Sequence, residues 1–173
     1  MKLKYGNLME SMTQYDCTFV TTNAAVKNNG ELVMGRGFAK SIATQHPEVP
    51  RAAGRAIKKQ QNMVADIEKR YGIQHVNYLS YGIIPDVYIE RHEDYYTKTI
   101  GLFQVKYHWS QPADIDLVKK SVKQLADYAR IFEYMDYAVN YPAIGNGRLA
   151  KQLIEPIINT LPDNVHVWQF SNK

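Results

Sequence analysis

Apolar residues along this chain fall into short β-type runs separated by stretches of helical spacing. Cys17-Thr18-Phe19-Val20-Thr21-Thr22 is rich in β-branched residues and reads as a central strand. Further strands are expected at Lys2–Leu8, Val76–Tyr81, Val87–Glu90, Ile100–Trp109, Tyr137–Tyr141 and Val165–Phe170. Val118, Val122, Leu125 and Ala129 follow i, i+4, i+7, i+11, with Asp114 and Asp116 placed where a helix start favours negative charge. Phe38–His46 reads as a helix that stops before Pro47, and Pro50 suits the first turn of a second helix reaching towards Lys69. Leu153, Ile154, Ile157, Ile158 and Leu161 form a last apolar face, with Pro156 near its start or at a kink. Strands at both ends with helices between them predict an α/β sandwich around a mixed sheet.

Composition narrows the class. A chain of 173 residues is one domain's worth, and at this size roughly 70% of the unfolded surface can be buried. We therefore expect a single domain over residues 1–173, without repeats or linkers. With 45% hydrophobic and 22% charged residues, intrinsic disorder is excluded. A mean hydropathy of −0.41 and the lack of a long apolar run argue against a membrane span. No secretory signal follows Met1-Lys2-Leu3-Lys4. Cys17 is the single cysteine, which rules out an intramolecular disulfide and fits a reducing compartment. The expectation is a cytoplasmic monomer without membrane contact, metal or cofactor.

The net charge of +4 would favour a phosphate-bearing ligand without making the chain a nucleic-acid binder. Lys58, Lys59, Lys69 and Arg70 read as a solvated helix face, and the thirteen tyrosines are scattered.

Chemistry gathers in two loops of one design: a strand, a sharp glycine turn, then a helix. They are Val33-Met34-Gly35-Arg36-Gly37-Phe38-Ala39 and Ala143-Ile144-Gly145-Asn146-Gly147-Arg148. Each G-x-G removes two Cβ atoms, so the backbone can approach a ligand and present consecutive N–H groups. A helix start just beyond adds partial positive charge suited to an anion. Two such loops suggest a diphosphate held between them. The dinucleotide fingerprint G-x-G-x-x-G fails, because Lys40 stands where its third glycine belongs.

These residues carry a resemblance. Gly6-Asn7-Leu8, Thr21-Thr22-Asn23-Ala24-Ala25, the segment Leu32–Ala39 and Pro142–Gly147 together resemble the macro domain family. Lys106-Tyr107-His108-Trp109-Ser110-Gln111-Pro112 is similar to the subgroup of DNA ADP-ribosyl glycohydrolases and glutamate-ADP-ribose hydrolases. The resemblance implies a three-layer α/β/α sandwich with a central mixed sheet that binds ADP-ribose at the strand C-termini. It assigns Asn23 to the distal ribose, where an amide can both donate and accept. Gly35, Arg36, Gly37 and Phe38 would form the first phosphate and ribose loop, and Gly145, Asn146, Gly147 and Arg148 the second. Leu8 would meet adenine through its backbone, Asn7 replaces the aspartate of many members, and Phe170 would stack on the base.

The same resemblance makes Lys106 the residue that helps to cleave the ADP-ribosyl bond. Strand alternation would put it on one face with Gln104 and His108; His108 could assist proton transfer, although a lone histidine beside Trp109 is more often structural. Two departures bear on activity. Val26 replaces the second asparagine of many members, and Arg148-Leu149-Ala150-Lys151 lacks the aspartate that the glutamate-directed hydrolases carry after the second loop. The expected function is binding of ADP-ribose and hydrolysis of an ADP-ribosyl adduct, on a nucleic acid such as DNA or on a protein carboxylate. The alternatives are a phosphatase acting on ADP-ribose 1″-phosphate, with water placed beside Asn23, and a non-catalytic reader or sequestering module.

Overall fold

At the centre of the sheet lies β2 (Cys17–Thr22), whose side chains alternate between two cores. The computed structural model describes residues 1–72, 81–91 and 97–171. Its sheet also contains β1 (Lys2–Tyr5), β3 (Ile83–Arg91), β4 (Thr97–Gln104), β5 (Tyr137–Asn140) and β6 (Val165–Gln169), in the order β1-β6-β5-β2-β4-β3. All neighbouring pairs are parallel except β3 against β4.

The helices are α1 (Leu8–Ser11), α2 (Gly37–Gln45), α3 (Val49–Tyr71), α4 (Ile115–Ile131) and α5 (Lys151–Ile158). Phe19 faces a cluster with Val122 and Leu125 of α4 and Ile154 of α5. Val20, one residue on, faces Ile42 of α2 and Ala53 and Ile57 of α3. The sheet is thus covered on both sides, which makes the three-layer α/β/α sandwich with a mixed sheet. No helix among the described residues is long and apolar enough to cross a membrane.

Local chemistry sets the element ends. The α4 start is fixed by Asp114, whose carboxylate accepts from the N–H groups of Asp116 and Leu117, both at 2.9 Å. Pro50 sits in the first turn of α3, where its missing N–H costs nothing. Pro156 lies inside α5.

Several boundaries differ from the sequence expectation. β1 stops at Tyr5, because the chain turns at Gly6 and Asn7 caps α1. β4 ends at Gln104 rather than Trp109: Val105 still donates to Thr22 O at 2.9 Å, but its own carbonyl accepts from Asp114 at 2.9 Å. Lys106 and His108 therefore stand on a loop, and strand alternation does not decide where they point. β3 begins earlier than expected, and its register with β4 shifts between Ile84 and Tyr88. The first glycine loop follows no strand, since Leu32 makes only an isolated bridge with Val26. The strand expected at Val76–Tyr81 lies, Tyr81 apart, outside the described residues.

Candidate functional site

A cleft of about 930 Å³ opens where β2, β4, β5 and β6 end. The crevice beyond the carboxyl ends of strands is where open α/β sheets receive their ligands. Both glycine loops line it: Gly35, Arg36, Gly37 and Phe38 on one side, Gly145, Asn146, Gly147 and Arg148 on the other. Asn7, Leu8, Asn23, Lys106 and Phe170 complete the set of sequence-predicted residues that it brings together. His108 does not line the cleft; its Nδ1 lies 2.8 Å from Ser110 Oγ and its ring leans on Trp109.

The loops owe their course to unusual backbone. Gly37 opens α2 at φ +58°, after Arg36 in an extended conformation. The second loop turns at Gly145 with φ +63° and closes a single 3₁₀ turn over Gly145–Gly147, rather than entering a helix directly. Ala143 and Arg148, at φ +64° and +61°, are also left-handed although neither is glycine. Such conformations in side-chain-bearing residues concentrate at functional sites, because surrounding structure must hold them.

Among the described lining residues the cations are Arg36, Lys106 and Arg148. Among the described lining residues there is no aspartate, glutamate or histidine. Charge therefore selects an anion. Lys106 Nζ donates to the carbonyls of Trp109 (3.3 Å), Gln111 (3.2 Å) and Asn146 (3.3 Å). Burial, followed by the neighbouring guanidinium groups of Arg148 and Arg36, pulls its pKa below the ordinary lysine value.

Asn23 is buried and half committed to the fold. Its Nδ2 donates to Val33 O and its Oδ1 accepts from Ala25 N, both at 2.8 Å. An amide has two donors and two lone pairs, so one of each remains for a ligand. Asn7 is more fully occupied: as the N-cap of α1 its Oδ1 accepts from Met9 N at 3.1 Å, and its Nδ2 donates to Glu10 Oε1 at 2.9 Å. Leu8 is buried and Phe38 half-buried, packing towards Leu8 and Tyr15. Phe170 is 69% exposed at the rim.

Other lining residues were not singled out from the sequence. Thr21 and Asn140 pair across β2 and β5, with Thr21 N donating to Asn140 Oδ1 at 2.9 Å and Asn140 Nδ2 donating to Thr21 Oγ1. Trp168 is held by donation of Nε1–H to Tyr15 Oη at 3.0 Å. Trp109 stands half in solvent beside Lys106. The tryptophans, as polar-tipped aromatics at strand and loop ends, were a readable signal; the strand-to-strand pair was not. Leu149 packs against the core rather than lining the cleft, so the position following the second loop faces away from it.

The fold and the cleft together define an α/β domain with a cation-lined cleft at its strand ends. No family model matches the chain, and no curated protein matches it. Solved structures do. The chain is similar to the macrodomain of Thermus aquaticus DarG, with a TM-score of 0.63 at 20% identity over 99% of this chain and 97% of that one. The macrodomain of Mycobacterium tuberculosis DarG gives 0.64 at 20% identity over 99% and 98%. Thermosipho africanus DarTG in complex with ADP-ribose gives 0.64 at 18% identity over 98% of this chain, which spans 42% of that one. This chain has the macrodomain fold.

Proposed function

We propose that the cleft binds ADP-ribose and that the protein hydrolyses an ADP-ribosyl adduct carried by a nucleic acid or a protein carboxylate. The observation that carries this reading is the pair of facing glycine loops, supplied, among the described lining residues, with three cations and no carboxylate. A diphosphate is the ligand group that such loops suit. The similar Thermosipho africanus DarTG structure holds ADP-ribose, which supports the same ligand here. In this reading the free donor and acceptor of Asn23 meet the distal ribose, and Phe170 and Leu8 flank the adenine. Lys106 lies by the scissile bond.

Calorimetry with ADP-ribose, AMP and NAD tests the ligand. ADP-ribose should bind most tightly, at about micromolar level or roughly −8 kcal/mol. An absence of heat at millimolar ADP-ribose would refute the assignment. Product analysis with adducts on nucleic acid, adducts on a carboxylate and ADP-ribose 1″-phosphate then separates hydrolase from phosphatase. A non-catalytic reader is the second reading, favoured by the lack of any carboxylate or histidine among the described lining residues.

A further inference from the structure

Trp168 lines the cleft, whereas Tyr15 and His166, which stand behind it, do not. His166 and Trp168 are two residues apart on β6 and so share a face of the sheet. Trp168 packs there against the buried cluster of Leu8, Tyr15 and Ala138. An indole N–H can only donate, so Tyr15 Oη accepts from Trp168 Nε1 at 3.0 Å. The hydroxyl hydrogen is then left for His166 Nδ1, 3.3 Å away. That order needs a bare Nδ1, which puts the proton of the neutral ring on Nε2. Nε2 is buried and makes no hydrogen bond among the described residues; Asp136 Oδ1 lies 3.7 Å from it.

Protonation of His166 breaks this order. Both ring nitrogens then donate, so Tyr15 Oη faces two N–H groups and its own hydrogen loses its acceptor. Water cannot replace that acceptor freely, because Tyr15 is 4% exposed. The charged and titratable groups that act on His166 are Lys2 and Lys4 of β1, the N-terminal ammonium, Asp136 ahead of β5, and Tyr15 itself. The ammonium group is also paired with Asp163 at 3.2 Å. Burial and the three cations favour the neutral ring, and Asp136 opposes them.

We propose that Tyr15 is a positioning residue for the base end of the cleft, and that protonation of His166 acts through it to loosen Trp168 and weaken ligand binding. The ligand half of this inference rests on the ADP-ribose reading, which places the base beside Leu8 and Phe170. Trp168 stands two residues before Phe170, and a β-carbon on Gly6 would lie 3.6 Å from its ring, so the indole is hemmed in by main chain on one side and tied to Tyr15 on another. Among the described lining residues no carboxylate or histidine titrates in the cleft itself.

The experiment follows the Trp168 indole N–H and the His166 ring by NMR in the free protein, from about pH 7.5 to 5. The indole signal should move in one step whose midpoint coincides with the His166 titration. Tyr15→Phe and His166→Asn should each abolish the step; asparagine keeps an acceptor for Tyr15 and cannot take a charge. By calorimetry, ADP-ribose affinity of wild type should fall about fivefold or more over this range and stay level in His166→Asn. Linkage is reciprocal, so saturating ADP-ribose should move the His166 titration to lower pH by the same factor. An indole signal that ignores pH, or a step that survives in His166→Asn, would overturn the inference. So would an affinity that falls equally in wild type and His166→Asn. If either variant does not fold, the coincidence of the two titrations in wild type, and their joint shift with ADP-ribose, decides. Wild type that ignores ADP-ribose at every pH refutes the proposed ligand and leaves the indole titration standing.

Discussion

Gly37 and Asn146 face each other across the cleft, so closely that a β-carbon on the glycine would lie 3.4 Å from the Asn146 side-chain amide. The two glycine loops, far apart in sequence, therefore form one surface. Lys106 reaches the same Asn146 through its carbonyl at 3.3 Å. One residue thus receives the first loop and anchors the lysine, which puts the cations and the exposed backbone within reach of a single anion.

Glycine substitutions should separate folding from ligand approach. A β-carbon at Gly35 meets nothing within 4 Å, and the residue is not left-handed. Gly35→Val should melt within about 1 kcal/mol of wild type, as a surface change does, yet fill the space into which the ligand's phosphates would come. At Gly147 the added carbon would lie 3.2 Å from Ala113 Cβ and 3.4 Å from Ala143 Cβ, so Gly147→Val should cost about 1–3 kcal/mol by overpacking. Calorimetry on Gly35→Val is the informative measurement. Unchanged ADP-ribose affinity there would mean that the diphosphate lies elsewhere.

Arg148→Gly should move stability and affinity in opposite directions. Arg148 holds φ +61°, which costs a side-chain-bearing residue roughly 1–2 kcal/mol and glycine nothing. Relief of that strain is offset in part by glycine's greater unfolded-state freedom, of roughly 0.5–1 kcal/mol. The net expectation is a small gain in melting temperature together with an ADP-ribose affinity about tenfold lower, from one lost charge-assisted contact. Denaturant melts and calorimetry on the same preparation check both signs. Affinity that rises with the melting temperature would contradict the role given to this guanidinium.

His166 gives stability a pH dependence. Burial first, then Lys2, lowers its pKa from 6.5, with Lys4 and the N-terminal ammonium adding to the shift and Asp136 opposing it. Its Nδ1 meets Tyr15 Oη at 3.3 Å, and Nε2 lies 3.7 Å from Asp136. With the folded pKa below the unfolded one, the unfolded chain takes up the proton first as pH falls through 6.5. Stability contributed by neutral His166 is then present above that value and is lost on descending to the folded pKa. Urea unfolding between about pH 7.5 and 5.5 should show this loss, and His166→Asn should flatten it. The lowered carboxylates of Glu31, Glu48 and Asp127 titrate further down and leave this window clear.

The layers and the residues of the two glycine loops were legible in the sequence; the secondary structure around the loops and the approach to the site were not. The β-branched run Cys17–Thr22 and the helical stripe from Val118 to Ala129 depend on local pattern alone, and both stand in the structure. The run Ile100–Trp109 keeps a β-type composition to its end, yet the strand stops at Gln104 because Asp114 captures the Val105 carbonyl. That bond depends on where α4 begins, which the composition of the strand run does not show. The carbonyl cage of Lys106 was hidden for the same reason, since one of its three oxygens comes from Asn146.

Turnover should be slow. Among the described lining residues no carboxylate or histidine stands ready to protonate a leaving group. Loss of a positioned acid or base typically costs ~10²–10⁴-fold, or roughly 3–5 kcal/mol of barrier. A carboxylate leaving group should suffer less from this than a base nitrogen, which needs the proton more. Aspartate at Leu149 would not repair the deficit, because that half-buried side chain packs against the core and does not line the cleft. Gln111 lines the cleft, and Lys106 Nζ donates to its main-chain carbonyl at 3.2 Å, which keeps the residue beside the lysine. Gln111→Glu should therefore accelerate single-turnover cleavage of carboxylate-linked ADP-ribose, by up to about tenfold if only part of the acid–base deficit is recovered. The same charge should weaken ADP-ribose binding a few-fold through repulsion of the diphosphate. Without a carboxylate or histidine among the described lining residues to titrate, the wild-type rate should stay nearly flat across neutral pH, while Gln111→Glu should acquire a carboxylate-like limb. A fast wild type whose rate climbs with pH would place the proton transfers on Lys106 itself.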